Sequence, residues 1–313
     1  MKKVIGIGET VFDIIFKNNQ PVAAVPGGSV FNGLVSLGRA GVDTSFISEV
    51  GNDHVGGLIL DFMQQSGVKT AAVKQYPDGA SPISLAFLNE KGDAAYQFYK
   101  DYPAARLDDV VFPEVDKDDI VMFGSYFALN PVLRPKVAEF LTYARQREAI
   151  LYYDINFRAN HQHEAVRLTP SILENLEYAD IVRGSADDFR YLYGTEDVDT
   201  IYEHHIKFYC PRFLLTRGGG SVSLRTDKLC KDYPTLPIEA VSTIGAGDNF
   251  NAGVVYGLLQ ANICRNELPD LSEQVWDGVI AKGLAFAAEV CKSTSNSVSR
   301  EALERLIVKE LRS

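Results

Sequence analysis

The sequence is short of the residues that mark several protein classes. Its four cysteines, Cys210, Cys230, Cys264 and Cys291, form no C-x-x-C pair, which removes zinc-ribbon and thioredoxin-type chemistry and leaves them as isolated small hydrophobes of a reducing compartment. Its five histidines, His54, His161, His163, His204 and His205, form no ligand pattern, and no H-E-x-x-H or G-x-S-x-G occurs. No Gly-Lys dipeptide exists, so a P-loop is excluded. Basic residues are outnumbered, 31 Lys and Arg against 41 Asp and Glu for a net charge of −10, which argues against a nucleic-acid partner. No uncharged apolar run reaches the roughly 18 residues of a membrane span. Glu9 and Asp13 interrupt the N-terminal apolar stretch too early for a signal peptide, so the expected location is the cytoplasm.

What is present is an ordinary globular composition, 46% hydrophobic over 313 residues, with short apolar runs alternating with helical patterns. Strands are expected at 4–8, 44–50, 68–73, 119–123, 149–155, 181–183 and 213–216. Helical periodicity covers 31–40, 55–65, 132–147, 170–177, 186–193 and 198–207. This rhythm predicts an α/β fold with a mostly parallel sheet covered by helices on both faces. Segments 14–26 and 81–100 break it, being β-forming without helices between them, with a hairpin turn signal at Glu90-Lys91-Gly92-Asp93. We expect a small β-lid there, drawn from about 10–26 and 81–105, on a single catalytic domain spanning 1–313. The aromatics Phe87, Tyr96, Phe98, Tyr99 and Tyr102 suit a surface that covers a site or forms a homodimer through the lid, although a decorative hairpin is the plainer alternative.

The chemistry concentrates in Ser242-Thr243-Ile244-Gly245-Ala246-Gly247-Asp248, followed by Phe250, Val254, Leu258 and Ala261 at helical spacing. A glycine-rich turn opening a helix presents unpaired N–H groups at the positive end of the helix dipole, which makes an anion site. A carboxylate beside it suits a base that takes a proton from a hydroxyl attacking phosphorus while the amides hold the developing charge. The plainer alternative is that Asp248 only complements the helix dipole. Gly6-Ile7-Gly8 begins a dinucleotide fingerprint, but Val11 stands where its third glycine belongs.

A second glycine pair, Gly27-Gly28, precedes Asn32, and Asp13 and Gly51-Asn52-Asp53 follow strands. Polar groups thus collect at the carboxyl ends of parallel strands, where open α/β sheets bind ligands. Asp154, Asn156 and Arg158 alternate at a strand end, and a period of two puts all three on one side.

These motifs together resemble the ribokinase (PfkB) family of carbohydrate kinases, and the resemblance covers nearly the whole chain. It implies a ribokinase-like three-layer α/β/α fold and transfer of the γ-phosphoryl of ATP to a sugar hydroxymethyl, with Mg²⁺ and often a monovalent cation such as K⁺. By resemblance, Asp248 is the catalytic base, and Gly245, Ala246, Gly247 and Asp248 form the anion hole. Asp13, Gly28 and Asn32 bind the sugar, joined by Tyr99 and Arg158, while Ser185, Thr216 and Gly218 lie on the nucleotide side. Ser185-Ala186-Asp187-Asp188 stands where the family carries Asn-x-x-Glu, which makes Asp188 the candidate to hold Mg²⁺ through water. Ser242 replaces an acid, and Lys100 stands where sugar-acid and fructose kinases carry arginine, losing a bidentate fork. Fructose or a related ketose is therefore the first expectation and 2-keto-3-deoxygluconate the second. Ribokinase and nucleoside kinase follow, and a non-catalytic sugar sensor is the alternative of another class.

Overall fold

The computed structural model describes residues 2–88 and 94–310, so the expected hairpin turn at Glu90-Lys91-Gly92-Asp93 lies outside the described residues. The chain divides into two compact units, one of Lys3–Pro113, Ile238–Gly253 and Ala285–Ser313, the other of Met1–Lys2, Glu114–Pro237 and Val254–Leu284.

The first unit runs β1 (Val4–Ile7), β2 (Val11–Lys17), β3 (Gln20–Gly27), α1 (Ser29–Arg39), β4 (Thr44–Gly51), α2 (His54–Gln65), β5 (Val68–Lys69), β6 (Val73–Tyr76), β7 (Ala80–Leu88) and β8 (Ala94–Asp101). Strand β4 pairs in parallel with β1, β5 and β6. The single strand expected over 68–73 is thus two short ones, divided at a turn around Thr70 whose carbonyl accepts from Val73 N. The lack of a side chain at Gly6 in β1 lets α1 pack closely, since a Cβ there would lie 2.4 Å from Leu34 Cδ1 and 2.7 Å from Val30 Cγ1 and those side chains would have to shift. The β-forming segments make a separate sheet in the order β3-β2-β7-β8, in which β2 and β7 run parallel and the outer pairs antiparallel. Four of the expected surface aromatics, Phe87, Tyr96, Phe98 and Tyr99, are exposed on it. Tyr102 is not: the Arg106 guanidinium stacks 3.5 Å from its ring, and Arg106 forms a buried ion pair with Glu49 of β4.

The second unit contains β9 (Ile120–Gly124), α3 (Arg134–Gln146), β10 (Ile150–Asp154), α4 (Ala165–Tyr178), β11 (Ile181–Ser185), α5 (Ala186–Tyr193), α6 (Val198–Ile201), β12 (Arg212–Thr216), β13 (Ser221–Thr226) and β14 (Cys230–Pro234). Strands β9 to β12 pair in parallel and β12 to β14 antiparallel. Every residue of β9 and β10 is buried, as expected of parallel strands covered on both faces. Helix α4 begins five residues before the expected start at 170, and Pro170 sits inside it. The expected helix over 198–207 closes its second half as a π-turn, Tyr202–Ile206. Three further helices are α7 (Ala246–Gln260), α8 (Glu273–Val290) and α9 (Arg300–Glu310).

Candidate active site

In the first unit the sequence builds a cluster around two glycine turns. Gly28 caps α1 with φ 138°, and a Cβ there would sit 2.2 Å from Glu9 O, so its contribution is the close backbone approach itself. One turn into α1, the Asn32 side chain is buried and donates from Nδ2 to Asp248 Oδ2 at 2.8 Å. Asp248 lies in the first turn of α7, directly after Gly245 at φ 78°. Ala246 gives its amide to Thr243 O at 3.2 Å, so that member of the expected anion hole is engaged within the turn. Asn249 then fastens the turn, donating from Nδ2 to Gly245 O at 2.8 Å and Asn296 O at 2.9 Å while its own Oδ1 accepts from Ser36 Oγ.

Asp13 stands in β2 of the small sheet rather than in a loop after β1, and is 8% exposed. It accepts from Ser84 Oγ and, at 3.4 Å, from Asn296 Nδ2. Burial pushes its carboxyl up to about 6, the charge of Glu9 adds to this, and the two hydrogen bonds hold it down. Register decides which aromatics of the small sheet share its face. Asp13 pairs with Ser84 and Ser84 with Phe98, whereas Tyr99 pairs with Ile83. Because side chains alternate across a strand, Phe98 is on the Asp13 face and Tyr99 on the opposite one. Phe98 stacks on Tyr96 with ring centroids 5.9 Å apart, and Lys100 lies over Phe98 while bonding Glu9 at 3.3 Å. Asp53 is engaged elsewhere, capping α2 through Gly56 N and holding Ser81 N, each at 2.7 Å.

In the second unit, Asp154 ends β10, Arg183 lies across from it in β11, and Thr216 ends β12. Arg183 Nη1 donates to Asp154 Oδ1 at 3.0 Å and Nη2 to Thr216 Oγ1 at 2.5 Å, and its Nε is buried without a partner. Burial would depress the guanidinium, but the charges of Asp154 and Asp188 more than offset it and keep it protonated. Ser185 and Asp188 form a capping box that starts α5. Asp188 is buried, which with the charge of Asp154 raises its carboxyl to about 6 against the opposing pull of Arg183. Gly218 sits exposed at φ 51° in the turn joining β12 to β13. The expected alternation of Asp154, Asn156 and Arg158 is not found: the strand stops at Asp154, Asn156 turns the chain at φ 40°, and Arg158 is exposed ahead of a 3₁₀ turn.

Sequence reasoning singled out Asp13, Asn32 and Asp248, which the structure gathers in one unit, but it passed over Ser36, Asn249, Arg183 and Asn296. Ser36 alone is a single polar residue in an apolar stretch, Leu34-Val35-Ser36-Leu37, and that contrast was the available signal; Asn249 and Asn296 stand among other polar residues, and nothing local marks them or Arg183.

A model of the pfkB family carbohydrate kinases matches residues 1–302. The chain belongs to that family. It is therefore a sugar kinase, with the ribokinase-like α/β fold of a mostly parallel central sheet and a small second sheet. Among curated relatives of this kinase, a fructokinase of Rhizobium leguminosarum bv. trifolii is 24% identical over 278 residues, covering 87% of this chain and 84% of that one. Solved structures of other sugar kinases share its fold. The fructokinase of Vibrio cholerae O395, a double mutant with fructose, ADP and potassium bound, has a TM-score of 0.84 at 20% identity, over 97% of this chain and 98% of that one. The aminoimidazole riboside kinase of Salmonella enterica, complexed with aminoimidazole riboside and an ATP analogue, has a TM-score of 0.82 at 20% identity, over 98% and 99%. No helix among the described residues of this kinase is long and apolar enough to cross a membrane. Nor does any group of three or more His, Cys, Asp or Glu among them form a metal site.

Proposed function

We propose that this kinase transfers the γ-phosphoryl group of ATP to the hydroxymethyl of a neutral ketose, fructose first among them. The observation that carries the reading is Asp248 buried in the first turn of α7, with its carboxylate held by Asn32 and the Gly245 turn immediately before it. Asp248 takes the proton of the sugar hydroxyl as its oxygen bonds to the γ-phosphorus and the bond from that phosphorus to the β-γ bridging oxygen breaks. The amides of the turn other than that of Ala246, which Thr243 O engages, hold charge on the transferring group, and ADP leaves. Asp13 accepts sugar hydroxyls, as an ionised carboxylate does well. Thr216 and Gly218 serve the nucleotide, with Arg183 bracing Thr216.

The donor set does not make a protein cage for magnesium, since Asp188 is buried and closes the α5 cap. Magnesium keeps several waters and binds nucleotide phosphates, so we read it as arriving with ATP. A neutral sugar is favoured over a sugar acid because Lys100 is engaged with Glu9 and Arg158 lies in an irregular exposed segment. One observation supports a second reading, a riboside with a flat base: the exposed stacked pair Tyr96 and Phe98 on the Asp13 face offers an aromatic platform.

The test is ADP formation from ATP with Mg²⁺, with and without K⁺, across fructose, tagatose, ribose, 2-keto-3-deoxygluconate, adenosine and aminoimidazole riboside. Strong turnover of fructose or tagatose supports the first reading, and preference for a riboside the second. Preference for 2-keto-3-deoxygluconate overturns both.

A further inference from the structure

Asn296 lies in the segment between α8 and α9 and is 5% exposed. Its backbone carbonyl accepts from Asn249 Nδ2 at 2.9 Å and stands 2.5 Å from where a Cβ on Gly245 would be. Its side-chain Nδ2 lies 3.4 Å from Asp13 Oδ2 and 3.2 Å from where a Cβ on Gly27 would be. One residue thus touches the sugar-side carboxylate, the bend before α1 and the turn before α7. Its Oδ1 is buried without a partner. A buried unpaired carbonyl costs stability, so packing alone does not account for an asparagine where a smaller or apolar side chain would leave no orphan.

We propose that Asn296 is a positioning residue for the transfer, tying Asp13 to the Gly245 turn so that the acceptor sugar and the anion-holding amides are fixed to one piece of backbone. This rests on the sugar-kinase reading of Asp13 and Asp248 given above. The segment has its own anchors, since Val298 N donates to Ser36 Oγ at 2.9 Å and Arg39 Nη1 holds Ser297 Oγ and Val298 O at 3.0 Å. These do not involve the Asn296 side chain, and the carbonyl contact to Asn249 survives any substitution. The groups acting on Asp13 are Ser84 from β7, Asn296, and the charge of Glu9, which Lys100 partly balances. Asn296 donates to the ionised form of Asp13. Removing the donor raises the carboxyl, and a second carboxylate in its place raises it further.

The test compares the full-length protein with Asn296→Ala and the near-isosteric Asn296→Asp, using the sugar and ATP that the wild type turns over. For Asn296→Ala we expect the sugar KM to rise on the order of five- to tenfold, the loss of one hydrogen bond, with the ATP KM within about twofold. The acid limb of kcat/KM should move to higher pH in Asn296→Ala and further still in Asn296→Asp. An unmoved acid limb in both variants overturns the proposal. So does a parallel rise of sugar and ATP KM with a lowered melting temperature, which marks a merely structural role. Should the alanine variant fail to fold, the aspartate variant alone carries the pH readout. Asp248→Asn is run alongside: full turnover there sinks the base assignment while leaving the effect of Asn296 on the acid limb to be judged separately.

Discussion

The Asn32 amide donates to the Asp248 carboxylate at 2.8 Å, joining the first turn of α1 to the first turn of α7 across 216 residues of sequence. In the proposed mechanism this bond orients the carboxylate toward the sugar hydroxyl. Asp248→Asn keeps the shape and removes the proton acceptor, so kcat should fall on the order of 10²–10⁴ while sugar still raises the melting temperature. Asn32→Ala removes the Asn32 hydrogen bond to the carboxylate and should raise sugar KM and lower kcat together. Steady-state kinetics with thermal shift separates the two patterns, and near-normal kcat in Asp248→Asn would remove that residue from the chemistry.

Gly245→Ala should be costly for two reasons that act together. The residue sits at φ 78°, and its new Cβ would lie 2.5 Å from the backbone carbonyl of Asn296, which Asn249 Nδ2 holds in place at 2.9 Å. We expect about 1–3 kcal/mol of destabilisation and a lower kcat from the displaced turn. Gly219 has nothing within 4 Å of its Cβ position, so Gly219→Ala is the matched control and should change stability little. Denaturant midpoints of the pair check this, and equal effects would show that the Gly245 turn is under no such constraint.

Arg106 and Glu49 form a buried pair with exposures of 6% and 3%, and Leu107 N also donates to Glu49 at 3.3 Å. Removing Arg106 leaves a buried carboxylate without its counter-ion, so Arg106→Met should cost about 3–5 kcal/mol. Making Glu49→Gln in the same chain removes the stranded charge and should recover much of that loss. A double-mutant cycle from urea unfolding measures the coupling. Additive effects would mean that the pair does not hold the segment after β8 to β4.

The α/β class was legible because buried parallel strands such as Ile120–Gly124 and Ile150–Asp154 are continuous apolar runs. The turns at Gly28 and Gly245 were legible because helices opened by glycine break composition sharply. Arg183 was not, since its partners Asp154 and Thr216 are 29 and 33 residues away and nothing local marks them. Strands β13 and β14 escaped for a different reason: they are short, carry polar residues at many positions, and β14 alternates exposed and half-buried residues. The face of Tyr99 was illegible because β7 carries a register irregularity between Ala80 and Ile83, which no alternation pattern in β8 reveals.

Asp13, raised to about 6 by burial, should set the acid side of activity if it binds the sugar as proposed. On that reading its ionised form accepts sugar hydroxyls, and as pH falls through 6 that form is lost, so kcat/KM for the sugar should fall below about pH 6 and be level above it. The loss belongs mainly in sugar KM. Replacing Asp13 by Asn should lower kcat/KM at neutral pH and abolish this limb. A pH profile of kcat/KM from about 5 to 8 checks it, and an unchanged limb in Asp13→Asn would assign it to another group.

Strand register sets which aromatics of the small sheet share a face with Asp13. Phe98 shares the Asp13 face through Ser84, with 44% of its surface exposed, while Tyr99 pairs with Ile83 and points to the other face. A sugar bound at Asp13 would meet Phe98 and its stacked neighbour Tyr96, so Phe98→Ala should raise sugar KM on the order of five- to tenfold, the worth of a stacking contact. Tyr99→Ala should leave sugar KM within about twofold, because loss of an exposed side chain on the far face is close to neutral. Measuring both variants against fructose and a riboside adds a discrimination. An aromatic platform serving a flat base predicts a larger loss for the riboside in Phe98→Ala, and a platform serving only the sugar ring predicts equal losses. A larger effect from Tyr99→Ala than from Phe98→Ala would reverse the face assignment and with it the placement of the sugar against β2.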